Sequence, residues 1–217
     1  MKGLLIKDFH LAFRNSRNLL MFVIICLVMS LSLDPSFGVG YAILLMGTIA
    51  LGTLTYDEFE NGFPFLMSLP ADAKTYVREK FLFCFLCELG GAIFGLAFAV
   101  LASLIRGQQI VLGEYLSFAA GVLPAMLLML AIMIAIQLKY GVEKSRLVMI
   151  LIYGGFAGIA VFIAAQKEKI IPVLPDIAAF LQKQPPVLLV GSLLLVLLLL
   201  IWLLYRLSVR IMENKEF

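Results

Sequence analysis

Hydrophobic residues in this chain come in long unbroken runs rather than in the alternating or one-faced patterns of a soluble fold. Stretches at 18–33, 37–55, 81–105, 115–138, 147–165 and 187–205 are apolar over most of their length. A helix that crosses a bilayer needs roughly 20 such residues, with a working range of about 17–25. The pattern therefore predicts six transmembrane helices, the first of them short. Residues 1–17 read differently. Leu5, Phe9, Ala12 and Phe13 share one helical face, while Lys7, His10, Arg14 and Arg17 recur on the other at i, i+3, i+7 and i+10. That is the spacing of an amphipathic helix lying in the membrane interface. The segment is too long and too amphipathic for the positive region of a signal peptide. No small-x-small site precedes Asp34, so the first apolar run is expected to stay in the mature protein.

The stretch 56–80, YDEFENGFPFLMSLPADAKTYVREK, interrupts the apolar runs with charge, yet sets Phe63, Phe65, Leu66, Met67 and Leu69 among those charges. A connector needs only to stay wet. Pro64 fits the first turn of a short helix, the Asn61-Gly62 pair suits its start, and Pro70 ends it. Asp72 is placed to cap a second helix that runs through Val77 and Lys80 into the third apolar run. A second interruption, 166–186, contains Pro172, Pro175, Pro185 and Pro186, and Asp176 there can cap a short helix over 177–183. It reads as a lid-like or re-entrant element, or as a plain loop.

Composition agrees. The 217 residues are 63% hydrophobic and 14% charged, with a mean hydropathy of +1.05, against about 45–50% apolar and about 25% charged in soluble domains. The expected fold class is an all-α integral membrane protein, one domain over residues 1–217. If both termini are cytoplasmic, 13 of the Lys and Arg residues fall in inside segments and 4 outside. Such a bias sets orientation, placing both ends and the 56–80 island in the cytoplasm. A net charge of +3, spread in short clusters, gives no reason to expect nucleic acid as a partner.

Chemistry-bearing motifs are sparse. The chain lacks G-x-x-x-x-G-K-[ST], the loop that cradles a nucleotide phosphate. No metal-binding, paired-carboxylate or Ser/His/Asp arrangement stands out, and His10, the only histidine, sits on the polar face of the first helix. No catalytic residue, metal or cofactor is expected in the chain itself. Cys84-x-x-Cys87 lacks the setting of a redox or zinc site, so these thiols and Cys26 read as small buried residues. Glu88 is the one carboxylate well inside an expected span. A charge there costs at least ~2.5 kcal/mol on insertion scales. Glu88 is thus either a lining or coupling residue of the transport path or a structural carboxyl, protonated or hydrogen-bonded, with Lys80 or another basic neighbour as a candidate partner. Gly91 with Gly95, and Gly154 with Gly158, have the spacing that lets helices approach closely, within the bundle or at a subunit interface.

Ser68-Leu69-Pro70 followed by Lys74, Val77 and Lys80-Phe81 resembles the signature of ABC-2 type permeases. The acidic run Tyr56-Asp57-Glu58 and the N-terminal Leu5-Ile6-Lys7-Asp8-Phe9 are also similar to that family, in particular to the small six-span permeases of the phenol-soluble modulin exporter (Pmt) group. Ala73-Lys74 stands where the family often has two basic residues, and Pro64 directly follows Phe63, which leaves the matching ATPase open. The resemblance implies a bacterial cell-membrane exporter subunit for amphipathic peptides or other membrane-active compounds. It implies two copies of a cytoplasmic ABC ATPase binding ATP and Mg, and a second permease copy, identical or paralogous, among membrane lipids. It makes the island a coupling helix over 60–70, with Glu58, Glu60, Asn61, Phe63, Pro64, Phe65, Leu66, Ser68, Leu69, Pro70 and Lys74 meeting the ATPase. Two other readings stand beside it. An ion-gradient transporter calls for intramembrane charge pairs or broken helices, for which Glu88 is a lone candidate. A non-transporting sensor or scaffold fits the composition equally and is opposed only by the island.

Overall fold

A computed structural model describes residues 2–14, 16–59, 62–63, 72–165 and 186–215. Of the expected coupling residues, Glu60, Asn61, Pro64, Phe65, Leu66, Ser68, Leu69 and Pro70 lie outside the described residues, as does most of the 166–186 segment with its expected short helix. Every regular element among the described residues is a helix: α1 (Lys2–Phe13), α2 (Ser16–Ser32), α3 (Pro35–Glu58), α4 (Ala73–Arg106), α5 (Leu112–Ala165) and α6 (Pro186–Glu213).

Helix boundaries follow local chemistry. Asp34 caps α3 by accepting the Ser36 backbone N–H at 2.9 Å, with Pro35 in the first turn where its missing N–H costs nothing. The Ser36 hydrogen bonds hold the Asp34 carboxyl below the usual carboxylate range. Asp72 occupies the N-cap of α4 and its carbonyl accepts from Tyr76, but its side chain makes no capping bond. The expected continuity holds: α4 runs unbroken from the island through the third apolar run. At 34 residues it is about 51 Å long, well over the ~30 Å of a hydrocarbon layer. Gly107, left-handed at φ 65°, ends it and donates to Leu104. In α5 the backbone breaks at Gly141 (φ 78°, ψ 171°), between the two apolar runs it contains.

Among the described residues, four helices are long and apolar enough to cross a membrane: Pro35–Glu58, Ala73–Arg106, Leu112–Val148 and Gly191–Glu213. They carry the expected spans 37–55, 81–105, 115–138 and 187–205. The expected span 18–33 falls on the shorter apolar helix Leu19–Ser32, and 147–165 on the part of α5 beyond Gly141.

α3 is the central helix, packed along α4 and touching α1, α2 and α5. Half of its most apolar stretch is buried, against 11% for α6 at the periphery. Gly91 and Gly95 permit the close α3–α4 approach: a Cβ on Gly91 would stand 2.7 Å from the Ala42 carbonyl, and one on Gly95 2.7 Å from the Val39 Cα. This pair serves packing within the bundle, whereas Gly154 faces open space. Cys26, Cys84 and Cys87 are free and buried in the apolar core.

Side-chain contacts sort the chain into two ends. At one, Arg106 donates to the Leu31 carbonyl, Ser103 and Tyr115 hydroxyls meet at 2.7 Å, and Phe37 packs on Phe118. At the other, α1, the two helix ends flanking the island, the Gly141 break and the C-terminal turn of α6 come together. The segments that the charge bias assigns to one side of the membrane are thus neighbours in space.

Candidate functional site

The two helix ends that flank the island carry polar residues one turn apart. On α3, Thr53 and Asp57 lie at i, i+4; on α4, Tyr76 and Lys80 do. The α3–α4 packing sets these pairs face to face. Lys80 is buried and its ammonium lies 2.7 Å from Asp57 Oδ2, is paired with Asp8 Oδ2, and donates to the Thr53 hydroxyl at 3.3 Å. Tyr76 donates to Asp57 at 3.0 Å, and Lys7 pairs with Asp57 and with Asp8 Oδ1 at 3.2 Å. Thr53 donates to Asp8 at 3.2 Å. Asp8 belongs to α1 and is completely buried.

Glu79 adds a third carboxylate. It is fully buried, and neither oxygen has a hydrogen-bond partner among the described residues. Two carboxylates, Asp8 and Asp57, therefore share two ammonium groups, with the Glu79 carboxyl buried beside them. Pairing in such a site offsets a desolvation penalty of several kcal/mol per ion, and removing one partner costs about 3–5 kcal/mol because the other charge is stranded. Such a cluster holds its elements in one register. Here it fastens the N-terminal helix to both flanks of the island.

The cluster continues into the island. Phe63 is buried, packing edge-on against Tyr76 at 5.8 Å between ring centres, with Lys215 stacked over its face at 4.6 Å. Lys215 also reaches the Leu138 carbonyl at 3.4 Å. Of the other described coupling candidates, Lys74 is exposed and makes a 3.5 Å surface pair with Glu213, a contact worth about 0–1 kcal/mol. Glu58 accepts the Val142 N–H at 2.9 Å, so it caps the helical segment that restarts after Gly141. Its carboxylate fills the space a Cβ on residue 141 would take, which together with the positive φ explains the glycine. Glu58 and Phe59 line a cleft of about 430 Å³ with the Tyr140–Arg146 side of that break.

Glu88 lies about 12 Å further along α4 than Lys80. It is 1% exposed, next to Gly47, and its Oε2 has no hydrogen-bond partner. The expectation that it reaches Lys80 is corrected: the Lys80 ammonium is taken by Asp8 and Asp57, and Glu88 has no ion pair among the described residues.

Reading the sequence placed Lys7 on the polar face of an interfacial helix and gave Asp8 no role beyond a family pattern; both belong to the cluster. One signal was available. Leu4, Asp8 and Ala12 recur at i, i+4, i+8, so Asp8 sits inside an apolar stripe, where a charge needs a buried partner.

Several apolar helices, an N-terminal helix clamped by buried ion pairs, and a polar island between membrane helices define a multi-pass membrane protein with its organised polar end on one side. Residues 3–213 match the family described as ABC-2 family transporter protein, and the chain belongs to that family. Its members are membrane components that generally work with an ABC ATPase partner. No curated protein and no solved structure matches the chain.

Proposed function

We propose that the chain is the permease subunit of an ATP-driven ABC exporter of the bacterial cytoplasmic membrane, with both termini and the island in the cytoplasm. The observation that carries this reading is the buried cluster of Asp8, Asp57 and Lys80 beneath the island of an ABC-2 family chain. A docking loop transmits force only if its base is rigid, and here the base is pinned to three helices by ion pairs. Residues 60–70 form the coupling helix seated on the ATPase. Lys74 and the exposed side of the island meet the partner, while Phe63 anchors the loop from within and Glu58 ties it to the restart of α5. Two permease copies with two ATPase copies make the working assembly, and binding of ATP and Mg by the ATPases moves the coupling helices. The charge bias supports the orientation, and resemblance to the phenol-soluble modulin exporter (Pmt) group supports amphipathic peptides or similar membrane-active compounds as cargo.

The test is affinity purification of the tagged chain from its native membrane. The wild type should retain an ABC ATPase, and Leu66→Glu or Phe65→Glu should lose it while remaining in the membrane fraction. Full retention of the ATPase by both variants would remove the coupling-helix assignment.

A further inference from the structure

A separate cleft of about 460 Å³ opens between α1 and α3, lined among others by Leu11, Arg14, Thr48, Ile49, Gly52 and Tyr56. Three features distinguish it from an incidental gap. Arg14 is exposed; among the described residues it is the only charged side chain in the lining and has no ion-pair or hydrogen-bond partner. Tyr56, 60% exposed, likewise has no partner for its hydroxyl among them. Nothing stands within 4 Å of where a Cβ on Gly52 would be, so the floor of the cleft is open. No carboxylate is among the lining residues, and Asp8 and Asp57 in the neighbouring cluster are buried and held by Lys7 and Lys80, and so oppose an anion only weakly.

The shape of the lining names an occupant. From Thr48 to Tyr56 the α3 face rises about 12 Å, close to the ~15 Å half-thickness of the hydrocarbon layer. An unpaired guanidinium and a phenol lie beside Leu11 and Ile49, polar and apolar contacts arranged for a molecule with an anionic head and a hydrocarbon tail. We infer that this cleft is a binding site for an anionic phospholipid of the leaflet in which α1 lies, its phosphate on Arg14 and Tyr56 and its upper acyl chain along Gly52 and Ile49. The lipid would then form one wall of the α1 seat, next to the cluster that holds the island. This inference depends on α3 crossing the membrane and not on export or ATPase docking, so it stands or falls separately from them.

The full-length chain is extracted from vesicles containing equal amounts of phosphatidylglycerol and phosphatidylcholine, and retained lipid is counted by native mass spectrometry. The wild type should retain phosphatidylglycerol in preference, and excess inorganic phosphate should not displace it. Arg14→Gln should lower that preference about fivefold, the worth of ~1 kcal/mol for one basic residue at an anionic surface. Gly52→Leu should abolish it, since the new side chain enters open space and fills the cleft without touching the bundle. Tyr56→Phe, which removes a single hydroxyl, should give a smaller decrease. Equal retention of the two lipids by the wild type, displacement by inorganic phosphate, or undiminished preference in Arg14→Gln and Gly52→Leu would overturn the assignment.

Discussion

Replacing Lys80 by Met should release α1 from the bundle. In the wild type the Lys80 ammonium serves Asp8 on α1 and Asp57 on α3 together. The variant keeps the volume of the side chain but strands two buried carboxylates with only Lys7 between them. Breaking a buried pair in this way costs about 3–5 kcal/mol. Allowing for the part that Lys7 still offsets, about 3 kcal/mol remains, which is on the order of a 100-fold shift in the docking equilibrium. With 12 residues, α1 is short enough to fray when its docking contacts are lost, so undocking raises the exchange of its amides. Hydrogen exchange of the protein in nanodiscs should show α1 peptides exchanging on the order of 100-fold faster, with peptides from the middle of α4 unchanged. Adding Asp8→Asn to the variant removes one stranded charge and should recover part of the loss. Unchanged α1 exchange in Lys80→Met, or strictly additive effects of Lys80→Met and Asp8→Asn, would refute the reasoning, because residues in one charge network must couple.

Three further outcomes are expected. Gly95→Leu places side-chain atoms against the α3 backbone where even a Cβ would stand 2.7 Å from Val39. It should cost more than about 3 kcal/mol as an overpacking substitution, read as lost thermal stability in detergent, while Gly154→Leu in open space should cost little. Glu58→Ala removes the cap on Val142 and should destabilise the start of the helical segment beyond Gly141 by about 1 kcal/mol, seen as local hydrogen exchange over 142–146; unchanged protection there would contradict the cap. Glu88→Gln keeps the shape of a buried, unpaired carboxyl and removes its capacity for charge. If Glu88 serves the transport path, export or substrate-stimulated ATP hydrolysis by the complex should change, and wild-type behaviour in both would make it a packing residue.

Much of the fold was legible because bilayer physics leaves few choices. Apolar runs of span length become helices, and the run after Asp72 was read as continuous with the island, as α4 is. The Gly91/Gly95 spacing gave the tight α3–α4 contact, since only glycine admits a backbone at that distance. The cluster was legible only in fragments. Lys80 and Asp57 were noticed as family positions, but pairing them requires the register of α3 against α4, which spacing within one helix does not contain. Asp8 depends on a third element, α1, docking at a particular rotation. Lys7 was misread because its neighbours on the helical face are exposed, while its long side chain reaches back to Asp57. The bond from Glu58 to Val142 was not legible, because nothing in the sequence ties Glu58 to a glycine 83 positions later.

The central claim, that force from an ATPase enters through the island, is tested most directly by cross-linking. A chain in which Cys26, Cys84 and Cys87 are replaced by Ser and Leu66 by Cys carries a single thiol on the proposed coupling helix. In native membranes that thiol should cross-link to an ABC ATPase subunit, with a yield that changes on addition of ATP and Mg. Efficient labelling of the thiol by a small soluble reagent, with no ATPase cross-link in either nucleotide condition, would contradict the account.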